Sequence, residues 1–326
     1  MRVIAVTGAS SGIGRAIARA FGARGDTVAL IARGRDGLDA AAEELREAGG
    51  TPLVYPLDVA DRDAVDACAD DLVLRTGQLD VWVNDAMVSV LGPAWSLSTG
   101  ELDRVTRVNY FGAVWGTLAA LRHMRAHSRG TIIQIGSLLS YRSIPMQSAY
   151  CASKAALRAF TDSLRSELHD EKSGVNLCHL LVPAVNTPQF DVIRNKFAGH
   201  AHPMGGVIYQ PEVIAKAALW VADHPLRELA IGPMTLAGMF GQALLPGRLD
   251  RSLGKNARTA QVTRELPKPS LDNLLAPLPG DRGAHGSFDD EARSSSVQLW
   301  ARMNAKVLTA GALAAAAALL WWRRRA

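Results

Sequence analysis

Along the first 245 residues, short apolar runs alternate with longer stretches in which apolar and polar positions mix at helical spacing. The runs are VIAVTG, TVALIAR, PLVYPLDV, LDVWVNDA, GTIIQIGS, GVNLCHLLVPA and LAIGPMTLAG. Between them lie segments such as GRAIARAFGARG and RDGLDAAAEELREAGG, rich in Ala, Leu, Arg and Glu. Nearly unbroken apolar strands separated by helices belong to a parallel sheet covered on both faces. The pattern therefore predicts an α/β domain over residues 1–245: a doubly wound, mostly parallel sheet of about seven strands flanked by helices.

The pattern changes after Leu245. Residues 246–299 are rich in Gly, Pro, Ser and charge, and Phe288 is the one aromatic before Trp300 approaches. So little apolar surface offsets the entropy of ordering poorly, which predicts a largely disordered linker. Residues 300–326 change character again. Val307 to Trp322 is uncharged and Ala-rich, and RRRA follows. A helix of that length spans about 24 Å against a hydrocarbon core of about 30 Å. Trp321 and Trp322 ahead of three arginines suit an interfacial anchor. The expectation is membrane contact through 307–322, by spanning or by lying in the interface. A helix docking on the body or on another subunit is the competing expectation.

The net charge of +5 points to nucleic acid only until it is located. Arg302, Lys306, Arg323, Arg324 and Arg325 carry the whole excess, and 302–326 holds no acid, so the body is formally neutral. No nucleic-acid partner is expected. Cys68, Cys151 and Cys178 are far apart and match no metal-ligand spacing, which suits a reducing, cytoplasmic compartment. The N-terminus runs directly into a strand-like segment, so no secretory signal is expected.

The first strand ends in TGASSGIG: Thr7, Gly8, Ala9, Ser10, Ser11, Gly12, Ile13 and Gly14. Glycines between a strand and a helix let the backbone approach a pyrophosphate, and the helix N-terminus supplies free N–H groups. At the tip of the second strand stands Arg33, not an acid. Arginine accommodates a ribose 2′-phosphate, so NADP(H) is favoured over NAD(H). Arg15 adds a second cation nearby, while Asp36 is the feature that speaks for NAD(H).

In SAYCASKAALRAF, Tyr150 and Lys154 are four residues apart and share one face of a helix. TG-x-x-x-G-x-G, an Asn at the end of the fourth strand, a Ser and Tyr-x-x-x-Lys occur in this order over about residues 1–240. In this the chain resembles the short-chain dehydrogenases/reductases. The resemblance implies a Rossmann-type sheet, often in homo-oligomers. It implies cofactor contacts at Gly8, Gly12 and Gly14, with Ser11 and Ile13 between them. Asp58 and Val59 are implied near the adenine, Asn84 as the first Asn of the family's NNAG motif and Thr187 beside the carboxamide. Ser137, thirteen residues before Tyr150, and Asn109 complete the catalytic set with Tyr150 and Lys154. Two departures stand out: NNAG is replaced by Asn84-Asp85-Ala86-Met87, and Val182-Pro183 occupies a family Pro-Gly pair.

The resemblance implies hydride transfer between nicotinamide and a carbonyl or secondary alcohol. A phenol's ordinary pKa is about 10, and a nearby ammonium lowers it. Tyr150 is then the acid in reduction and the base in oxidation, with Lys154 tuning it and holding the ribose hydroxyls. Ser137 stabilises the charged oxygen, and Asn109 holds a water that relays protons. No metal is expected, although His200 and His202 form a pair. The substrate loops offer Leu139, Tyr141, Ile144, Pro145, Met146, Phe190, Ile193 and Phe197, with Gln189 and Arg194 as polar contacts, which suits a lipophilic small molecule. Nucleotide-sugar epimerases share Tyr-x-x-x-Lys but carry a differently spaced glycine turn and a larger C-terminal domain. The remaining alternative is a non-catalytic dinucleotide sensor or scaffold on the same fold. Loss of the Ser, Tyr or Lys would mark it, and all three are present.

Overall fold

The computed structural model describes residues 1–204, 206–267 and 271–309. Seven strands form one sheet: β1 (Val3–Thr7), β2 (Thr27–Ala32), β3 (Thr51–Pro56), β4 (Val81–Asn84), β5 (Gly130–Ile135), β6 (Val175–Leu181) and β7 (Glu228–Ala230). Their order is β7-β6-β5-β4-β1-β2-β3, and every pairing is parallel. The order reverses between β1 and β4, which opens a crevice at the carboxyl ends of those strands. Ile4, Ala5 and Val6 are fully buried, because helices cover both faces of β1. One apolar layer packs on each side of the sheet: Phe21, Leu38 and Ile214 belong to the first, Leu72, Trp82 and Met124 to the second.

Local chemistry sets the helix ends. Helix α1 (Gly12–Gly22) starts at the glycine turn, and α2 (Arg35–Glu47) follows β2. Helix α3 (Arg62–Thr76) is capped by the Asp61 side chain, which accepts from Ala64 N, and ends at Gly77 in the left-handed region. Ser98 and Glu101 form a reciprocal capping box on α4 (Thr99–Thr106). Helices α5 (Gly112–Met124) and α6 (Ser148–Asp170) cover the second face. In LAIGPMTLAG only the first residues are strand. Gly232, at φ +82°, turns the chain, and Pro233 starts a helix that runs to Leu244.

The segment expected to be a disordered linker is instead laid onto the body. Pro246–Lys255 is helical, and Val262–Pro267 pairs antiparallel with Gly199–Ala201. Residues 271–296 then cross the carboxyl edge of the sheet as a strap. Leu274, Ala284 and Phe288 are buried along it, and Leu299 enters the core beyond it. Composition misled here because it counted apolar residues within the segment. A few anchors suffice when the body already presents an apolar surface and unpaired polar groups at its strand ends.

Among the described residues no helix is long and apolar enough to cross a membrane. Most of the tail on which the membrane expectation rests, from residue 310 onward, lies outside the described residues.

Leu274 is fully buried against the second apolar layer. Truncating such a leucine costs about 2–5 kcal/mol. Leu274→Ala is therefore expected to accelerate tryptic cleavage within 271–296 while the body stays resistant; equal cleavage rates would contradict a docked strap.

Candidate active site

The glycine turn is shaped by lack of space. Gly8 and Gly12 adopt positive φ, +75° and +58°. At Gly14 a Cβ would lie 2.5 Å from the Gly8 carbonyl oxygen and 2.8 Å from an Asp85 carboxylate oxygen. Three elements therefore meet at one point: the end of β1, the start of α1 and the loop after β4. The Thr7 hydroxyl ties the first to the third, donating to Val83 O (3.3 Å) and accepting from Asp85 N (3.0 Å) and Ala86 N (3.1 Å).

A cleft opens beside this turn, lined by Gly8, Ser10, Ser11, Gly12 and Ile13, by Arg33 and by Asp58, Val59 and Thr187. These sequence-expected residues are brought together. Thr7 and Asn84 are not among them. Thr7 acts beneath the turn, as above. Asn84 turns its side chain into the sheet, accepting from Trp82 Nε1 (2.8 Å) and donating to Thr117 Oγ1 (3.0 Å) and Gln134 Oε1 (3.1 Å). A buried amide takes whichever partners spare it desolvation, and here those lie in the sheet. Asp58 is fixed as well: it accepts from Ala60 N (3.0 Å) and from Arg104 Nη2 (2.6 Å). Arg15 is almost fully buried, paired with Glu44 and Asp281, and does not stand free in the cleft.

On the other side of the switch point, Ser137 follows β5 and Tyr150 and Lys154 lie on α6. Ser137 Oγ accepts from Leu139 N (3.1 Å), and the Ser137 side chain lies near enough to the Tyr150 hydroxyl to favour its ionised form. Lys154 is buried; its Nζ donates to Ile135 O (2.7 Å) and lies 5.9 Å from the centre of the Tyr150 ring. Asn109 lies in a single π turn (Arg107–Phe111) between α4 and α5, a distortion common at functional sites. Its side chain accepts from Val88 N (2.9 Å) and donates to Val88 O (2.9 Å) and Ser153 Oγ (3.2 Å). Ser153 in turn donates to Tyr150 O (2.7 Å). Asn109 thus braces the Tyr150 turn of α6 against the loop after β4.

A family profile described as short chain dehydrogenase matches residues 2–196. The chain belongs to the short-chain dehydrogenase family. It is an oxidoreductase of that family. It is 32% identical over 275 residues to the uncharacterized oxidoreductase YxnA of Bacillus subtilis, covering 84% of this chain and 77% of that one. It is 32% identical over 256 residues to 3beta-hydroxysteroid dehydrogenase 1 of Eggerthella lenta, covering 76% and 95%. The structure resembles the alcohol dehydrogenase from the archaeon Thermococcus sibiricus complexed with 5-hydroxy-NADP. That likeness has TM-score 0.63 and 30% identity, and covers 71% of this chain and 96% of the other.

In this short-chain dehydrogenase, electrostatics depart from the simplest expectation. Burial pushes the Lys154 ammonium down to about 8, opposed by Asp85, and pushes the Asp85 carboxyl up to about 7, opposed by Lys154 and the Gly14 N–H. Burial also raises the Tyr150 hydroxyl, and the neighbouring Ser137 side chain offsets this only in part. Lys154, turned to the Ile135 carbonyl, does not bring the phenol down by itself. His179 on β6 lies behind Ser137; a Cβ on Gly136 would come within 1.9 Å of its Nε2. Burial, and then Lys154, hold this imidazole neutral, near 3.

Several expected substrate contacts are re-aimed. Tyr141 donates to Glu228 (2.9 Å) under the Arg158 guanidinium, so it leaves the site. Arg194 is paired with Asp272 (3.0 Å). Met146, Phe190, Ile193 and Phe197 do cluster, joined by Leu91. His200 and His202 do not form a pair: His200 faces Asp191 (3.2 Å), and the His202 Nδ1 is set against Pro203 O (2.7 Å). Sequence reasoning missed Arg104 and the charge on Asp85. Arg104 had no motif to mark it. Asp85 was visible as a departure, and its carboxylate beside Lys154 is what the departure means.

The folded chain holds the Asp85 proton more tightly than the unfolded chain, so raising the pH from the ordinary carboxylate range through about 7 removes stability. Asp85→Asn abolishes that loss. The melting temperature of Asp85→Asn relative to wild type is expected to rise from pH 5 to pH 8, and a pH-independent difference would refute the buried titration.

Proposed function

We propose that this short-chain dehydrogenase uses NADP(H) to interconvert a lipophilic ketone or aldehyde and its alcohol. The observation that carries the chemistry is the convergence of Ser137, Tyr150 and the buried Lys154, whose Nζ lies 5.9 Å from the centre of the Tyr150 ring. Nicotinamide, when bound, supplies or accepts the hydride. Tyr150 delivers the proton to the substrate oxygen in reduction and removes it in oxidation. Ser137 donates to that oxygen as it gains charge. Lys154 keeps its ammonium 5.9 Å from the centre of the Tyr150 ring and would hold a ribose hydroxyl of the bound cofactor. Asn109 fixes the turn that carries Tyr150.

Arg33 supports the choice of cofactor, since it directly follows β2 and lines the cleft, its guanidinium held by the Asn273 and Leu275 carbonyls. Asp36, the competing feature, accepts from Gly280 N (2.8 Å) and is thereby taken up by a backbone group. The Thermococcus sibiricus relative with its 5-hydroxy-NADP supports the same choice. Support for a lipophilic substrate comes from the cluster of Leu91, Met146, Phe190, Ile193 and Phe197, and from the relative named as a 3beta-hydroxysteroid dehydrogenase.

The test is NADPH oxidation over a panel running from small polar ketones to steroid-sized ones. Turnover is expected to favour the large apolar members, and preference for the small polar ones would reject the substrate class. Tyr150→Phe is expected to lower kcat by roughly 10²–10⁴ with NADPH affinity unchanged; undiminished turnover would remove Tyr150 from the chemistry.

A further inference from the structure

The strap 271–296 stands over three parts of the cofactor cleft. At one end, the carbonyls of Asn273 (2.5 Å) and Leu275 (3.1 Å) accept from the Arg33 guanidinium, and Leu274 O accepts from Arg104 Nε (3.0 Å). In the middle, the turn 280–283 caps α1. Its two glycines adopt positive φ, Asp281 pairs with Arg15, and Gly283 O accepts from Gly12 N (3.1 Å). At the other end Gly286 presses on the Thr187 loop, where a Cβ would lie 2.3 Å from the Thr187 carbonyl oxygen. Phe288 N donates to Asn186 Oδ1 (3.0 Å) and fastens that end.

The strap does not fill the cleft; it walls it. Gly8, Ser10 and Ile13 of the body and Pro277, Leu278 and Arg282 of the strap line it together. Arg15 and Arg33 are engaged by carboxylates and carbonyls. Arg282 is exposed, lines the cleft, and makes no hydrogen bond or ion pair through its guanidinium among the described residues. Its chain neighbours are both pinned, Asp281 to Arg15 and Gly283 to Gly12 N. Arg282 therefore sits over the N-terminus of α1, adding a free cation where the Gly12 N–H is already taken by Gly283 O and the helix dipole favours an anion.

We propose that the C-terminal strap is the outer wall of the NADP(H) site, and that Arg282 binds a cofactor phosphate from the solvent side. The proposal rests on the NADP(H) reading above. Asp281 is a positioning residue: its ion pair with Arg15 holds the turn that presents Arg282. The dinucleotide lies between strap and sheet, so its exchange requires the strap to lift.

The experiment is NADPH titration of the full chain by fluorescence, together with amide hydrogen exchange of residues 273–286 with and without NADPH. Loss of a charged hydrogen-bond donor predicts about tenfold weaker NADPH binding by Arg282→Ala. Arg282→Lys should recover part of it. An equal loss for NADH assigns Arg282 to the pyrophosphate, and a loss confined to NADPH assigns it to the 2′-phosphate. The strap amides should exchange more slowly when NADPH is bound. Faster exchange would overturn the proposal, since the strap would then compete with the cofactor, and so would wild-type affinity in Arg282→Ala. Arg33→Ala separates the two levels. If it weakens NADPH binding while Arg282→Ala does not, the strap proposal alone fails. If the wild-type chain does not bind NADPH, the cofactor reading fails with it.

Discussion

The buried ammonium of Lys154 is the charge around which the active face is arranged. A cation out of water is costly unless it is hydrogen-bonded and compensated. The Ile135 carbonyl supplies the hydrogen bond, at the last residue of β5, just before the turn that carries Ser137. Asp85 supplies the compensating charge from the loop after β4. The same field helps keep His179 neutral behind the Gly136–Ser137 turn. One ammonium thus couples the ends of β4, β5 and β6 to helix α6, and Tyr150 stands on the helix turn next to it.

The order of the sheet and the crevice at its switch point were legible because they follow from repeated, local patterns. Apolar runs between helical stretches marked the strands, and TGASSGIG marked the point where a strand must turn without side chains in the way. The meeting of Ser137, Tyr150 and Lys154 at the end of β5 and the start of α6 was legible from spacing. The functions of Thr7 and Asn84 were less so, because a motif gives a residue's place but not the direction of its side chain. Both are turned inward, towards the polar groups that satisfy them. Tyr141 failed for a related reason: Glu228 and Arg158, far away in sequence, offer its ring and hydroxyl a better site than the pocket does.

The strap was the least legible part. Its composition resembles that of a disordered chain, and its order is borrowed. Arg33, Asp36 and Gly12 each present it with a charge or a backbone group that needs a partner, and Leu274 and Phe288 add the apolar grip. A window of sequence cannot see surfaces that lie more than two hundred residues away.

That separation has a consequence for assembly. Arg15 and Asp281 meet across 266 residues. Contacts so far apart carry a large loop-closure cost, whereas the glycine turn closes within a few residues. Ser137, Tyr150 and Lys154 depend on contacts much nearer in sequence, so they can be in place before the strap docks, and docking of the strap is a separable step in folding.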